Sequence, residues 1–474
     1  MTTSDYPTCE CMCKRKVLGT MGMIAALAGT ALSADSGPWR LNEAFSLPDW
    51  FQLSGSTRVR YETLDGQFRS AYEGGDQQLA FRTLLEGRVQ FENWGLVGEF
   101  QDSRQELADE GSPIGTSMVN TTELLQAYIQ LKAEDLLQEG SRTELRLGRQ
   151  TMDAGSRRLI ARNRFRNTLN AFDGAVLYWK AKSGPDLQLF YLQPVVRRPS
   201  ESPDLLDNEG LEDRSYDDFT FWGVHAGWKD FIRDKNQFET YLYVLDESDE
   251  GDLATKDREL YTPGLRFYRK PAKDAWDYDV ELVVQFGEQR SSKSASDVSD
   301  LDHWAQFAHL EFGYTGDTAW SPRLALLFDY ASGDEDPDDD ESNRFDTLFG
   351  ARRFEHGPTG IYGSFARSNI VSPGISLKLK PSAKVQTQFA YRAYWLASDT
   401  DAWTTSGLRD SSGETDRFVG QQVEARLKWD ILPGNLSADM GLAYLFAGPF
   451  IHDAPNASGQ GDSTYAYTSL SFKF

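Results

Sequence analysis

Apolar side chains in this chain recur at every second position, over segments longer than ordinary soluble strands and never over a run long enough for a membrane helix. Leu53, Gly55, Thr57, Val59 and Tyr61 alternate with Ser54, Ser56, Arg58, Arg60 and Glu62. Trp276, Tyr278, Val280, Leu282, Val284 and Phe286 alternate with Asp277, Asp279, Glu281 and Gln285. Val423, Ala425, Leu427 and Trp429 alternate with Gln422, Glu424, Arg426 and Lys428. A strand sends successive side chains to opposite faces, so each segment has one apolar face and one charged face. The segments commonly reach about ten to fourteen residues, where soluble strands run to roughly 5–6. After the N-terminal region no stretch approaches the ~20 apolar residues of a spanning helix.

Eighteen such segments run from 53–62 to 464–474. Their joints alternate between short ones, such as Asn93-Trp94, Ser183-Gly184-Pro185 and Pro381-Ser382, and long ones, such as 62–78, 151–170, 194–217 and 333–370. Short periplasmic turns and long extracellular loops are the asymmetry of outer-membrane barrels. Trp94, Trp276, Trp320 and Trp429 all fall beside short joints, where an amphipathic ring prefers the membrane interface. In the last segment Leu470, Phe472 and the terminal Phe474 share one face, as in closing strands that the barrel-assembly machinery engages. Mean hydropathy is −0.53, with 40% hydrophobic but 13% aromatic residues, which suits an aromatic skin around a polar interior. The expected fold is all-β, a transmembrane antiparallel β-barrel of about eighteen strands.

The N-terminus reads as an export signal over residues 1–33. Lys14, Arg15 and Lys16 precede an apolar run from Val17 to Leu32, and Ala31-Leu32-Ser33 resembles a cleavage site. Residues 34–52 form a periplasmic lead-in to a barrel over 53–474. Cys9, Cys11 and Cys13 are the only cysteines, so a chain cut after the leader has no disulfide and no thiolate metal site. The formal charge of −23 argues against nucleic acid as a partner.

No catalytic constellation is visible, and no cofactor or metal site is expected. The five histidines are His225, His303, His309, His356 and His452. His303 and His309 share a strand face, yet residues six apart along a strand lie ~20 Å apart, too far to share one ion. The most unusual segment is 155–167, where Arg157, Arg158, Arg162, Arg164 and Arg166 crowd an otherwise acidic chain. Guanidinium groups bind carboxylates in a bidentate fork and keep their charge. Folded into the pore mouth, these arginines would form an anion-selective constriction; left on the surface, they would meet lipopolysaccharide phosphates or acidic neighbours. Arg197-Arg198 and Arg352-Arg353 lie in two further long loops and could converge on the same place. The run Asp334 to Glu341 offers carboxylate oxygens that could take calcium, but it matches no EF-hand spacing and reads rather as a solvated acidic loop.

The motif Glu144-Leu145-Arg146-Leu147-Gly148-Arg149-Gln150, followed by Arg157-Arg158-Leu159-Ile160 and Ala171-Phe172-Asp173-Gly174-Ala175, resembles the alginate export family. Phe345-Asp346-Thr347-Leu348-Phe349 and Asn369-Ile370 in the longest loop agree with it. The resemblance implies an 18-stranded outer-membrane barrel that passes an anionic uronic-acid polymer through an arginine-lined constriction. It makes Arg149 a pore-lining candidate and places Arg157 and Arg158 in a family-like stretch. Arg162, Arg164, Arg166, Arg352 and Arg353 are candidates by charge and loop position alone. By alternation the inner wall is mixed, setting Glu86, Glu92, Glu99, Asp277, Asp279, Glu281, Asp329, Glu424 and Asp439 against Arg58, Arg60, Arg82, Arg88, Arg146, Lys378, Arg392, Arg426 and Lys428.

The expectation is a passive outer-membrane channel, not an enzyme, for an anionic polysaccharide such as alginate. Its surroundings would be outer-membrane lipid and lipopolysaccharide. A porin for small organic acids or oligosaccharides is the nearest alternative. A barrel hydrolase, needing a nucleophile–His–acid cluster at one rim, and a plugged structural barrel are the others.

Overall fold

The computed structural model describes residues 37–474. The basic cluster at 14–16, the apolar run, the cleavage-like site and all three cysteines lie outside the described residues. A lead-in with one helical turn, α1 (Leu41–Ala44), precedes eighteen barrel strands. These are β1 (Phe51–Asp65), β2 (Gly75–Gln90), β3 (Trp94–Glu106), β4 (Asn120–Glu134), β5 (Arg142–Gln150), β6 (Phe172–Lys180), β7 (Asp186–Pro194), β8 (Phe219–Lys229) and β9 (Asn236–Glu247). The second half holds β10 (Glu259–Arg269), β11 (Ala275–Arg290), β12 (Asp300–Thr315), β13 (Arg323–Ala331), β14 (Ile370–Ser382), β15 (Val385–Trp395), β16 (Phe418–Leu432), β17 (Leu436–Ala447) and β18 (Ser463–Lys473). Each pairs antiparallel with its neighbours in sequence. β18 returns to β1, setting Leu470 opposite Val59, so the barrel has no open edge. None of the helices is long and apolar enough to cross a membrane; the strands cross instead.

The eighteen segments read from the sequence are the eighteen strands, but several ladders run further at the long-loop end. β1 and β2 continue to Asp65 opposite Gly75, because backbone pairing does not stop where the apolar band ends. One wall assignment is corrected. Glu92 is exposed in the 91–93 turn rather than on the inner wall, since β2 ends at Gln90 and Phe91 donates its N–H back to the Trp94 carbonyl, 2.9 Å away.

The polarity of the wall is that of a soluble protein turned inside out. Leu326 on the outer face is 61% exposed, while Arg60 and Asp329 in the lumen are 1% and 0% exposed. At the short-turn rim Trp94, Trp276, Trp320 and Trp429 all face outward. Trp276 stacks on Phe312 at 4.9 Å, and Phe91 joins Trp94 at 4.7 Å.

Two long loops do not stay outside. Residues 151–171, between β5 and β6, and 332–369, between β13 and β14, fold into the lumen and build an apolar core there. Phe365 stacks on Tyr394 at 3.5 Å and on Trp403 at 5.3 Å, and Trp403 continues onto Phe68 at 5.2 Å. The long-loop half of the lumen is therefore packed like a protein interior; the short-turn half keeps open cavities.

Candidate functional site

The wall holds the 151–171 loop by two reciprocal sets of contacts. Wall arginines reach its backbone. Arg58 donates to the carbonyls of Arg164, Phe165 and Arg166 at 2.8–3.1 Å, Arg82 to those of Arg164 and Arg166, and Arg60 to that of Phe165 at 2.6 Å. Loop arginines in turn reach wall carboxylates. Arg162 meets Glu99 at 2.6 Å, and Arg158 meets Glu281 at 2.5 Å and Asp279 at 3.2 Å. The Asn167 side chain ties the loop's far end by donating to the carbonyls of Phe81, Arg104 and Met118 at 2.8–3.2 Å. A folded loop turns several carbonyls the same way, and guanidinium N–H groups satisfy them where water is excluded.

The second loop docks on the first. Ile160 and Phe349 form a parallel bridge, with the Phe349 N–H on the Leu159 carbonyl at 2.9 Å and the Ala351 N–H on the Arg157 carbonyl at 3.0 Å. Gly350 permits this approach, because a Cβ there would stand 1.7 Å from the Arg158 carbonyl oxygen. Glu355 joins the two loops chemically, since its carboxylate binds both Arg158 and Arg367. Burial alone would raise that carboxyl, but Arg158 and Arg367 together hold it down at about 2. On the wall beside it, His309 Nδ1 lies 2.7 Å from Asp329, whose other oxygen meets Arg392 at 2.8 Å. Glu62 accepts from the Ile361 N–H and the Tyr465 hydroxyl at 3.2 and 2.8 Å, and Arg353 binds Glu424 at 2.7 Å.

His309, Asp329 and Glu355 offer ligand atoms within 4.8 Å of one another, the one such group among the described residues. Their charges are already met by Arg158, Arg367 and Arg392, so the cluster reads as an ion-pair network rather than a cation site. The sequence indicated His309 as inward but not its partners, which come from the next strand and a folded loop.

The eight arginines singled out in the sequence fall into distinct environments. Arg149 is held by Glu123 and Asp173, each at 2.9 Å. With Arg158, Arg162 and Arg353 it belongs to the arginines clamped by buried or half-buried carboxylates. Arg164 is 59% exposed and meets Asp153 at 2.6 Å. Arg157, Arg166 and Arg352 have no carboxylate partner among the described residues; Arg157 lies over the Phe354 ring at 5.3 Å. Burial, followed by the charges of Arg197 and Arg352, pulls the Arg166 guanidinium down to about 9. Burial and then Arg69 pull Arg352 down to about 10. Both remain charged at neutral pH, in a neighbourhood of cations. Arg166, Arg197 and Arg352 thus converge from three loops, whereas Arg198 turns away to Asp252. Arg367 carried no sequence signal, because the loop around it has no periodicity. The acidic run from Glu335 to Glu341 is largely exposed.

Below the loops, three cavities open among the inward side chains of the short-turn half. One of about 380 Å³ is lined by Arg58, Arg60, Arg82, Arg164, Lys384, Arg426 and Lys428 against only Asp430 and Asp439. A second, of about 710 Å³, holds Arg146 between the rings of Tyr128 and Tyr178, at 5.3 and 4.9 Å from their centroids. The third, of about 680 Å³, includes Arg266, 3.9 Å over Tyr268. In each, bases outnumber acids, the reverse of the whole chain. Alternation along the strands assigned Arg58, Arg60, Arg82, Arg146, Arg426 and Lys428 inward but not Arg266, and could not show which would stay unpaired.

The alginate export family profile matches residues 49–462. No curated protein matches the chain. Among solved structures, a BenF-like porin from Pseudomonas fluorescens Pf-5 is similar at a TM-score of 0.58 and 11% identity, over 90% of this chain and 99% of that one. OccK8 (OprE) of Pseudomonas aeruginosa gives 0.56 and 12% over 90% and 98%. OpdK of Pseudomonas aeruginosa, solved with vanillate, gives 0.53 and 12% over 89% and 98%. At such identities these structures establish the barrel alone. The profile, by contrast, covers both inward loops and nearly all of the wall, and on that ground the chain belongs to the alginate export family of Gram-negative outer-membrane β-barrel channels.

Proposed function

We propose that this channel passes an acidic saccharide of the alginate type down its gradient, with loop arginines replacing water around the carboxylates. The observation that carries this reading is the set Arg157, Arg166 and Arg352, cations at the junction of the two loops without acidic partners among the described residues. The basic cavities beneath them extend the same field towards the periplasm. In this reading Arg149, Arg158, Arg162 and Arg353 shape the constriction, and Arg164 faces the vestibule. Contacts must stay individually weak for the solute to leave, which suits arginines shared among many passing carboxylates.

Planar-bilayer recordings test it. Wild type is expected to be anion-selective and to be blocked reversibly by oligouronates. Arg157→Ala/Arg166→Ala/Arg352→Ala is expected to lose both properties while the barrel still inserts. A cation-selective wild type, or selectivity unchanged in the triple variant, would remove the proposal. A second reading, a porin for small aromatic or sugar acids, is favoured by the cavity in which Tyr128 and Tyr178 flank Arg146. Block by monomeric acids at the same concentrations as oligomers would support it.

A further inference from the structure

Two short turns of the periplasmic rim are built to one plan, and each presents an apolar residue that the protein does not cover. Asp135-Leu136-Leu137-Gln138-Glu139-Gly140-Ser141 joins β4 to β5, and Asp230-Phe231-Ile232-Arg233-Asp234-Lys235-Asn236 joins β8 to β9. In both, the first, third and sixth residues adopt positive φ: 59°, 69° and 78° in one turn, 53°, 64° and 69° in the other. In both, the leading aspartate accepts from the N–H five residues on, Gly140 at 2.5 Å and Lys235 at 2.7 Å. The last residue of each donates to the fourth, Ser141 to Gln138 and Asn236 to Arg233. Leu137 and Ile232, at the third position, are 87% and 82% exposed, the highest values among large hydrophobic residues described. A left-handed backbone is costly for any residue with a Cβ and more so for a β-branched one. Two turns of this kind on one rim, each lifting an aliphatic side chain clear of the protein, call for an apolar surrounding.

The direction in which the turns lean identifies that surrounding. Phe231 stacks on Phe238 at 4.8 Å and meets Phe267 at 6.4 Å. Both lie on the outer face, because their neighbours Glu239 and Arg266 pair inside the lumen. Leu136 accepts the indole N–H of Trp179 at 3.0 Å, and Trp179 is likewise outward, next to the inward Tyr178. Both turns thus fold back against the lipid-facing aromatic band. The arc between them contains β5, β6 and β7, three successive strands of nine residues each, and β8, of eleven. Nine residues is at the low end of the ~9–11 a tilted strand needs to cross a bilayer; β13 is the one other barrel strand so short, so the longest run of short strands is the one that the two turns flank.

We propose that Leu137 and Ile232 are lipid anchors, inserted among the acyl chains of the periplasmic leaflet on either side of the short-strand arc and setting its depth in the membrane. Charged neighbours in the same turns, Glu139 and Asp234, stay at headgroup level. The test uses the full chain with Cys9, Cys11 and Cys13 replaced by serine and one new cysteine at a time. Leu137→Cys, Ile232→Cys, Glu139→Cys and Asp234→Cys are each labelled with an environment-sensitive fluorophore. Each is then folded into phosphatidylethanolamine/phosphatidylglycerol vesicles with or without brominated acyl chains. Folding is confirmed by heat-modifiable gel mobility. The expected result is blue-shifted emission, strongly quenched by brominated lipid, at 137 and 232 and not at 139 and 234. Water-like, unquenched emission at 137 and 232 in folded protein would overturn the proposal and leave these residues for a partner other than lipid.

Discussion

The two inward loops reach the same lumen by opposite means. The 151–171 loop carries five arginines against one acid, Asp153; the 332–369 loop carries nine acids against four arginines. The first is tied by polar contacts, its arginines on wall carboxylates and its carbonyls on wall arginines, around the buried aliphatic side chains of Met152, Leu159 and Ile160. The second adds an aromatic core, with Phe345, Ile361, Tyr362 and Phe365 all buried. The difference teaches what the mixed wall is for. Four of its acids, Glu99, Asp279, Glu281 and Glu424, anchor loop arginines. The charge left facing the lumen is what the anchoring does not consume.

This contrast can be broken most forcefully at the point where the loops share a charge. Arg158→Ala removes the cation from among Asp279, Glu281 and Glu355. Stranding buried carboxylates in this way costs on the order of 3–5 kcal/mol. The expected outcome is a lower unfolding temperature in detergent and a larger, noisier single-channel current as both loops loosen. A quiet current of wild-type size would show that the loops do not depend on this junction.

Acid should loosen the same junction without mutation. Glu355 titrates at about 2 in the folded protein, against 4.5 for a free carboxyl. Its stabilising contribution is therefore complete above 4.5 and is lost as pH falls through about 2. Current noise recorded as pH is lowered is expected to rise across that window in wild type and to be elevated already at neutral pH in Glu355→Gln. His356, held down at about 3 chiefly by burial, stays neutral until the bottom of the same range.

A smaller effect distinguishes the backbone tether from the ion pairs. Asn167→Ala leaves the carbonyls of Phe81, Arg104 and Met118 without their shared donor, at a cost of about 1–3 kcal/mol. The first loop should loosen while the second keeps its aromatic packing, so limited proteolysis is expected to cut within 151–171 and not within 332–369. Cleavage in both would show that the loops undock as one unit. Arg164→Ala should change least, because Arg164 itself is exposed and pairs only with the half-buried Asp153, and an exposed ion pair contributes at most ~1 kcal/mol. Equilibrium unfolding should show no shift beyond that size.

The barrel was legible because its cause is local. Residues such as Leu282 and Glu281 sit on opposite faces wherever a strand forms, so eighteen periodic segments, their outward tryptophans and their inward charges could be read directly. The errors arose where periodicity ends, as at Glu92, whose position depends on a turn hydrogen bond rather than on alternation. The environments of the loop arginines were not legible, only their positions. Arg157 and Arg158 are adjacent and chemically identical, yet one lies over an aromatic ring and the other is locked among three carboxylates.

Sequence by itself thus determined the closed sheet, its polarity and the division into a short-turn and a long-loop rim, because side-chain alternation and loop length are properties of neighbouring residues. Tertiary structure alone decided which arginines remain unpaired, because each pairing joins groups far apart in the chain, as Arg158 is from Glu281 and Glu355. Those distances close only when two long loops abandon the surface for the lumen, where an unmatched charge or an unbonded carbonyl has no water to turn to.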